Sequence, residues 1–222
     1  MFDKRVNVFM GHYGSGKTYV SVNYAIALSQ QKKKVSIYDL DIVNPYYRTV
    51  DALEMLNENG VELVVSPFAE SNVDIPAMNS GAYKMLNPDS GFAILDIGGD
   101  DRGALALGRF KDGIISENDY EVFFVVNCFR PETRTIEDAL IIKEEIERSA
   151  KLKFTAIVNN ANLGLETTEQ HVLAGAEFTS KLSKITGLPI KFSSVRTDLI
   201  NNKLKEKMKI LPVLPIKYGD WL

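Results

Sequence analysis

The sequence predicts a doubly wound α/β domain, a mostly parallel sheet of about seven strands with helices on both faces. Two observations carry that expectation. Short β-branched and aromatic runs alternate along the chain with longer segments of helical spacing. Most of the short runs are apolar on both alternating faces, as strands covered on both sides are.

In chain order, the first run is 6–10 (VNVFM), and a helix over 18–31 follows with Val22, Ala25, Ile26 and Ser29 on one face. Runs at 34–40 (KVSIYDL) and 61–66 (VELVVS) precede a crossover at 76–86 (PAMNSGAYKML) that reads as helical. Runs at 92–97 (FAILDI) and 121–127 (EVFFVVN) come next. A helix over 132–150 then places Ile136, Ala139, Leu140, Lys143 and Ile146 at helical spacing. The run at 154–160 (FTAIVNN) leads to a helix over 167–186, where His171 has no motif around it and reads as a helix-surface residue. The run at 189–194 (PIKFSS) closes the set. In the ending KMKILPVLPIKYGDWL two prolines argue against a helix, so a final edge strand or a packed tail is expected, with a partner-binding tail carrying Trp221 as the other reading.

The 222 residues suit one domain over 1–222, with no repeat, low-complexity tract or clear linker. A hydrophobic share of 45%, a charged share of 25% and a net charge of -3 give no dominant nucleic-acid footprint. The basic stretch NNKLKEKMK is too short and polar for a membrane anchor. No run approaches the ~18 apolar residues of a membrane span, and the start shows no secretory signal. A cytoplasmic enzyme or switch is therefore expected. The single cysteine, Cys128, excludes a disulfide framework and reads as a small buried apolar residue.

The chemistry begins at GHYGSGKT, which fits G-x-x-x-x-G-K-[ST] with Gly11, Gly16, Lys17 and Thr18. It lies between a strand and a helix, the context that the motif requires. The amides of Gly14, Ser15, Gly16, Lys17 and Thr18, with the positive end of the following helix, make an anion nest. Lys17 is expected on the β/γ-phosphates and the Thr18 hydroxyl on Mg²⁺. Two acidic strand ends follow. In YDLDIVNPYYRT, Asp39 and Asp41 are two apart and point the same way, one suited to Mg²⁺ through water and the other to an attacking water. In FAILDIGGDDRGA, Asp96 closes an apolar strand before the flexible pair Gly98–Gly99, as a metal-holding carboxylate and a switch would. Asp100, Asp101 and Arg102 read as exposed loop charges.

In that order, GHYGSGKT, YDLDIVNP and LDIGG resemble the P-loop class that contains the MinD and ParA ATPases, the nitrogenase iron protein, metal-insertion ATPases and dethiobiotin synthetase (the SIMIBI class). The resemblance implies a Mg²⁺-dependent ATPase in which Asp41 positions the attacking water and Asp96 takes the Walker B role. FVVNCFRPETRTIEDA resembles the segment where a strand precedes Pro-Glu and a helix, and AIVNNANLG the strand-end asparagine that reads adenine, here Asn159. NNAN also overlays the guanine-reading pattern N-K-x-D, but Asn160 replaces its Lys and Asn162 its Asp, which favours ATP over GTP. The departure is His12, which stands where the MinD/ParA branch carries a lysine that reaches the partner's phosphates in an ATP-sandwiched dimer. A lysine is permanently cationic near neutral pH and an unperturbed histidine mostly neutral. The substitution therefore puts the ATP-dependent homodimer in question, not nucleotide binding, for which His12 retains a hydrogen-bond donor.

Three functions follow. The first is a nucleotide-driven switch ATPase serving an unidentified protein partner, in maturation or regulation of an enzyme. The second is a small-molecule kinase or ligase of the dethiobiotin-synthetase type, its acceptor pocket lined by 44–48 (NPYYR). The third is a module that holds ATP without turnover, against which the retained Asp41 speaks.

Overall fold

The structure is a computed structural model and describes residues 2–41, 49–65, 83–98 and 107–216. Among these residues the strands are β1 (Val6–Met10), β2 (Val35–Leu40), β3 (Val61–Val65), β4 (Phe92–Ile97), β5 (Tyr120–Val126), β6 (Ala156–Asn159), β7 (Ile190–Arg196) and β8 (Ile210–Val213). The α-helices are α1 (Lys17–Ser29), α2 (Leu53–Glu58), α3 (Lys111–Glu117), α4 (Ile136–Ala150), α5 (Glu169–Thr186) and α6 (Asn202–Lys207). The strands form one sheet in the order β3-β2-β4-β1-β5-β6-β7-β8, and every neighbouring pair is parallel. The α/β expectation holds, with one strand more than expected.

The added strand lies in the proline-rich ending. Pro212 fits β8 because an edge strand has one side without a ladder to break. Beyond β8 the chain packs on α1, where Asn23 Nδ2 donates to Leu214 O at 3.2 Å and Leu214 N donates to Asn23 Oδ1 at 2.8 Å. Edge strand and packed tail thus both occur, while Trp221 lies outside the described residues. So does most of the expected crossover helix, of which Lys84–Leu86 forms a 3-10 turn.

Local chemistry sets the helix starts. α4 begins after the 3-10 turn Pro131–Thr133, with the Thr135 side chain accepting from Asp138 N at 3.1 Å, and so starts later than the expected 132. α5 carries a capping box in which His171 Nδ1 accepts from Thr168 N at 3.1 Å, giving that histidine a part in the helix end.

Strand alternation sorts the core into two layers. Val8, Tyr38, Leu95 and Phe124 face α3, α4 and α5, which contribute Ile114, Ala139 and Leu182. Phe9, Ile37, Ile94 and Phe123 face α1 and α2, which contribute Ile26 and Leu56. In α1 all residues except Tyr19, Ala27 and Ser29 are buried. The one-faced helix expected from its pattern is in fact enclosed between the sheet and the chain end. β1 has β4 on one side and β5 on the other; from β1 the chain passes to β2 on the β4 side, and from β4 it crosses back to β5 on the other. The carboxyl edge at such a switch point is where open α/β sheets bind ligands.

At the opposite edge, Arg5 is 9% exposed and donates to Gly91 O at 2.8 Å and Met85 O at 2.6 Å while pairing with Glu117. It ties the start of β1 to the segment before β4 and to α3. Arg5→Ala leaves Glu117 and two carbonyls without their partner. It should cost about 3–5 kcal/mol in denaturant unfolding, and a loss below about 1 kcal/mol would contradict the clamp.

Candidate functional site

The chain leaves β1 at Met10, turns through 11–16 and enters α1 at Lys17. Ser15 N donates to His12 O at 3.0 Å, which closes the turn. Two glycines are dictated by space. A Cβ on Gly11 would lie 2.5 Å from Val125 O. Gly16 caps α1 with φ 81°, and a Cβ there would lie 2.2 Å from Asn160 Nδ2. The first amides of α1 have no partners within the helix, so its start offers both donors and a positive dipole end.

Two segments that follow strands hold the loop. Just past β6, Asn160 Nδ2 donates to Ser15 O at 2.6 Å, and Asn160 Oδ1 accepts from Ser194 Oγ on β7. After β5, Arg130 Nε donates to Gly14 O at 2.8 Å. In the same turn, Glu132 Oε2 lies 3.9 Å from His12 Nδ1. His12 Nδ1 also lies 3.0 Å from Tyr13 O, so that nitrogen carries the hydrogen. The turn is itself pinned, because Thr133 Oγ1 donates to Asn127 O at 2.7 Å and Asn127 Nδ2 to Asn162 O at 2.8 Å.

The acidic residues converge beside the loop. Asp39 and Asp96 are register partners on β2 and β4, and Phe9 of β1 pairs with Asp96. All three positions therefore face the α1 side of the sheet. Lys17 Nζ lies 3.4 Å from Asp41 Oδ2, and the two residues are 4% and 5% exposed. Asp41 N donates to Asp39 Oδ1 at 3.0 Å, which ties the Asp39 carboxylate to the Asp41 backbone. Asp96 is fully buried and accepts at Oδ2 from Thr49 Oγ1 at 2.9 Å. Burial pushes its carboxyl up to about 6, against the attraction of Lys17 and hydrogen bonds from Thr18 and Thr49, with Asp41 adding to the rise. Asp96 Oδ1 and Ser15 Oγ are buried without a hydrogen-bond partner among the described residues. Such orphaned polar atoms at a strand end and in a phosphate-type loop suit an ionic ligand.

Gly11, His12, Gly14, Ser15, Gly16, Lys17, Thr18, Asp39, Asp41 and Asp96 thus come together at one edge of the sheet. Asn159 does not join them. It is 1% exposed, its Nδ2 donates to Ser193 Oγ at 3.1 Å and its Oδ1 accepts from Ala161 N at 3.2 Å. Its neighbour Asn160 is the one aimed at the loop, as expected where successive side chains leave a strand in opposite directions. Sequence reasoning missed the roles of Asn160, Arg130 and Thr49. The alternation rule applied to NNAN could have separated Asn159 from Asn160, whereas nothing near Thr49 signals its contact. The segment 44–48, Gly99 and residues 100–102 lie outside the described residues. Among those described, no group of three or more His, Cys, Asp or Glu side chains could hold a metal ion, so a divalent cation here would need phosphate oxygens as well. No helix among them is long and apolar enough to cross a membrane.

Solved structures share this architecture. FtsY from Thermotoga maritima matches with a TM-score of 0.61 at 15% identity, covering 86% of this chain and 62% of that one. Chloroplast FtsY from Physcomitrella patens gives 0.61 at 16%, covering 97% and 63%. The signal recognition particle receptor FtsY from Elizabethkingia anophelis, solved in complex with GDP, gives 0.55 at 17%, covering 88% and 58%. This chain therefore spans 58% to 63% of the length of these FtsY chains. The likeness shows the fold, that of an α/β P-loop NTPase. No protein-family model matches the sequence, and no curated protein does.

Two outcomes follow from the geometry. Gly16→Ala brings a Cβ onto Asn160 at a left-handed position and should displace the loop, seen as lost protection in hydrogen exchange of the Ser15 and Val20 amides, which bond to His12 O and Gly16 O, with the fold intact by circular dichroism. Because the Asp96 pKa is raised in the fold, its contribution to stability is full below pH 4 and is lost as pH rises through about 6. Asp96→Asn should therefore stabilise the metal-free protein at pH 7.5 by up to about 3 kcal/mol, with the gain fading towards pH 4. An equal or lower stability at pH 7.5 would contradict the stated cost of that burial.

Proposed function

We propose that the protein binds Mg·ATP on the 11–18 loop, hydrolyses it, and uses the cycle as a switch for a partner protein. The observation that carries this reading is the meeting of Lys17 and Asp41 at 3.4 Å beside the in-register pair Asp39 and Asp96, at the start of a buried helix. A single strand-end carboxylate is common; a phosphate-type loop with its lysine and three carboxylates at one edge is the equipment of phosphoryl chemistry.

The loop amides and Lys17 hold the β- and γ-phosphates. The Thr18 hydroxyl, with Asp96 and Asp39 through water, would hold Mg²⁺, and the orphaned Asp96 Oδ1 fits that use. Bound magnesium supplies charge neutralisation at the phosphates. Asp41, held by Lys17 and by the hydrogen bond that its backbone N–H donates to Asp39 Oδ1, is placed to exchange the lysine for an attacking water once the phosphates claim Lys17. The preference for ATP rests on Asn160 and Asn162 standing where a guanine-reading pattern has Lys and Asp. It does not rest on Asn159, whose amide is committed to Ser193 and Ala161. A second reading, GTP, draws support from the GDP complex of Elizabethkingia anophelis FtsY. An ATP-dependent homodimer belongs to the proposal only if His12 or another group serves in place of the bridging lysine.

Turnover and binding of ATP and GTP, measured side by side with Mg²⁺, decide between the bases. Lys17→Ala should weaken triphosphate binding or turnover by roughly 100-fold or more. Asp41→Ala should keep binding within about tenfold and lower turnover by at least about 100-fold. Unchanged binding and hydrolysis in Lys17→Ala would remove the site assignment.

A further inference from the structure

We infer that Thr49 is a positioning residue for the metal carboxylate, and that through it the segment 49–58 reads whether the metal site is filled. The inference rests on the Mg·nucleotide reading above and deepens it.

Thr49 is fully buried, and its Oγ1 donates to Asp96 Oδ2 at 2.9 Å. The bond leaves Oδ1 as the carboxylate oxygen without a hydrogen-bond partner among the described residues, although it too is buried. A carboxylate bonded at one oxygen is restrained in rotation about its Cβ–Cγ bond, so the Thr49 hydroxyl, with Thr18 also acting on the carboxyl, bears on which oxygen is presented to a cation. Outer partners of this kind tune metal affinity without touching the metal. Asp96 sits on a rigid central strand flanked by β1 and β2, so the movable member of the pair is Thr49.

Thr49 opens the 3-10 turn Thr49–Ala52, which runs directly into α2. Ala52 and Leu56 anchor that unit in the core, while Val50 and Leu53 are 39% and 42% exposed. One buried hydrogen bond thus joins the carboxylate that would serve the metal to a short helical unit with apolar side chains at the surface. When a cation takes Oδ1, the carboxylate is held in one orientation, the Thr49 donor meets a fixed acceptor at Oδ2, and the unit is held more tightly.

The probe is a fluorescent ATP analogue, titrated with Mg²⁺ from an EDTA-treated start. In the wild type, Mg²⁺ should tighten analogue binding. Thr49→Val keeps the shape and deletes the donor. It should raise the half-saturating Mg²⁺ concentration roughly 10- to 100-fold, leaving analogue affinity in EDTA unchanged. Thr49→Ser restores the hydroxyl and should return the Mg²⁺ requirement to within about twofold of wild type, as a conserved donor implies. Equal Mg²⁺ requirements for Val and wild type, or equal weakening of binding with and without Mg²⁺, would overturn the positioning role. The second measurement uses only wild type. Amides 49–58 should gain hydrogen-exchange protection when Mg²⁺ joins a bound non-hydrolysable ATP analogue, and no gain would overturn the sensing role. A wild type that binds the analogue without any Mg²⁺ effect would overturn both the inference and the metal assignment. An effect in wild type that Thr49→Val shares would overturn the inference alone.

Discussion

Lys17 is the cation on which the carboxyl edge of the sheet depends. Asp41 contacts it directly, and Asp96 feels its charge through a fully buried environment. Each buried ion costs several kcal/mol relative to water, and a single ion pair offsets that only in part. The rest of the local architecture reads as compensation: the dipole of α1, the backbone bond from Asp41 to Asp39, and the hydroxyl of Thr49 on Asp96. An apolar edge would make a more stable sheet. Keeping charge there departs from core logic, and the proposed ionic ligand accounts for it.

The loop that carries Lys17 is held from outside as well as by its own sequence. Asn160 grips Ser15 O from just past β6, Arg130 grips Gly14 O from the turn after β5, and Glu132 approaches His12 from that same turn. The braces bear on His12, which belongs to the same loop. Positive charge at the loop comes from Lys17 and the start of α1, while Arg130 adds a fixed positive charge at its rim.

The sheet was legible because its strands are enclosed. β1 and β4 occupy the segments that the apolar runs mark, since a strand covered on both faces must be apolar throughout. α2, α3 and α6 are one or two turns long, too short for periodicity to register, and the full burial of α1 exceeded its pattern because the chain end closes over it. The loop and the acidic strand ends were legible because spacing fixes their chemistry. The offset between Asn159 and Asn160 is one residue, which on a strand reverses the face. Thr49 was invisible, because its contact with Asp96 links positions 47 apart in sequence.

The most direct test of the central claim is a backbone amide NMR titration of the wild-type protein with a non-hydrolysable ATP analogue and Mg²⁺. The account predicts that the amides of Gly14 to Thr18 shift furthest, with Asp41 and Asp96 following once Mg²⁺ is present. If those amides stay in place while shifts gather elsewhere, for instance around the basic stretch 203–209, the loop is not the ligand site and the charged edge must be explained some other way.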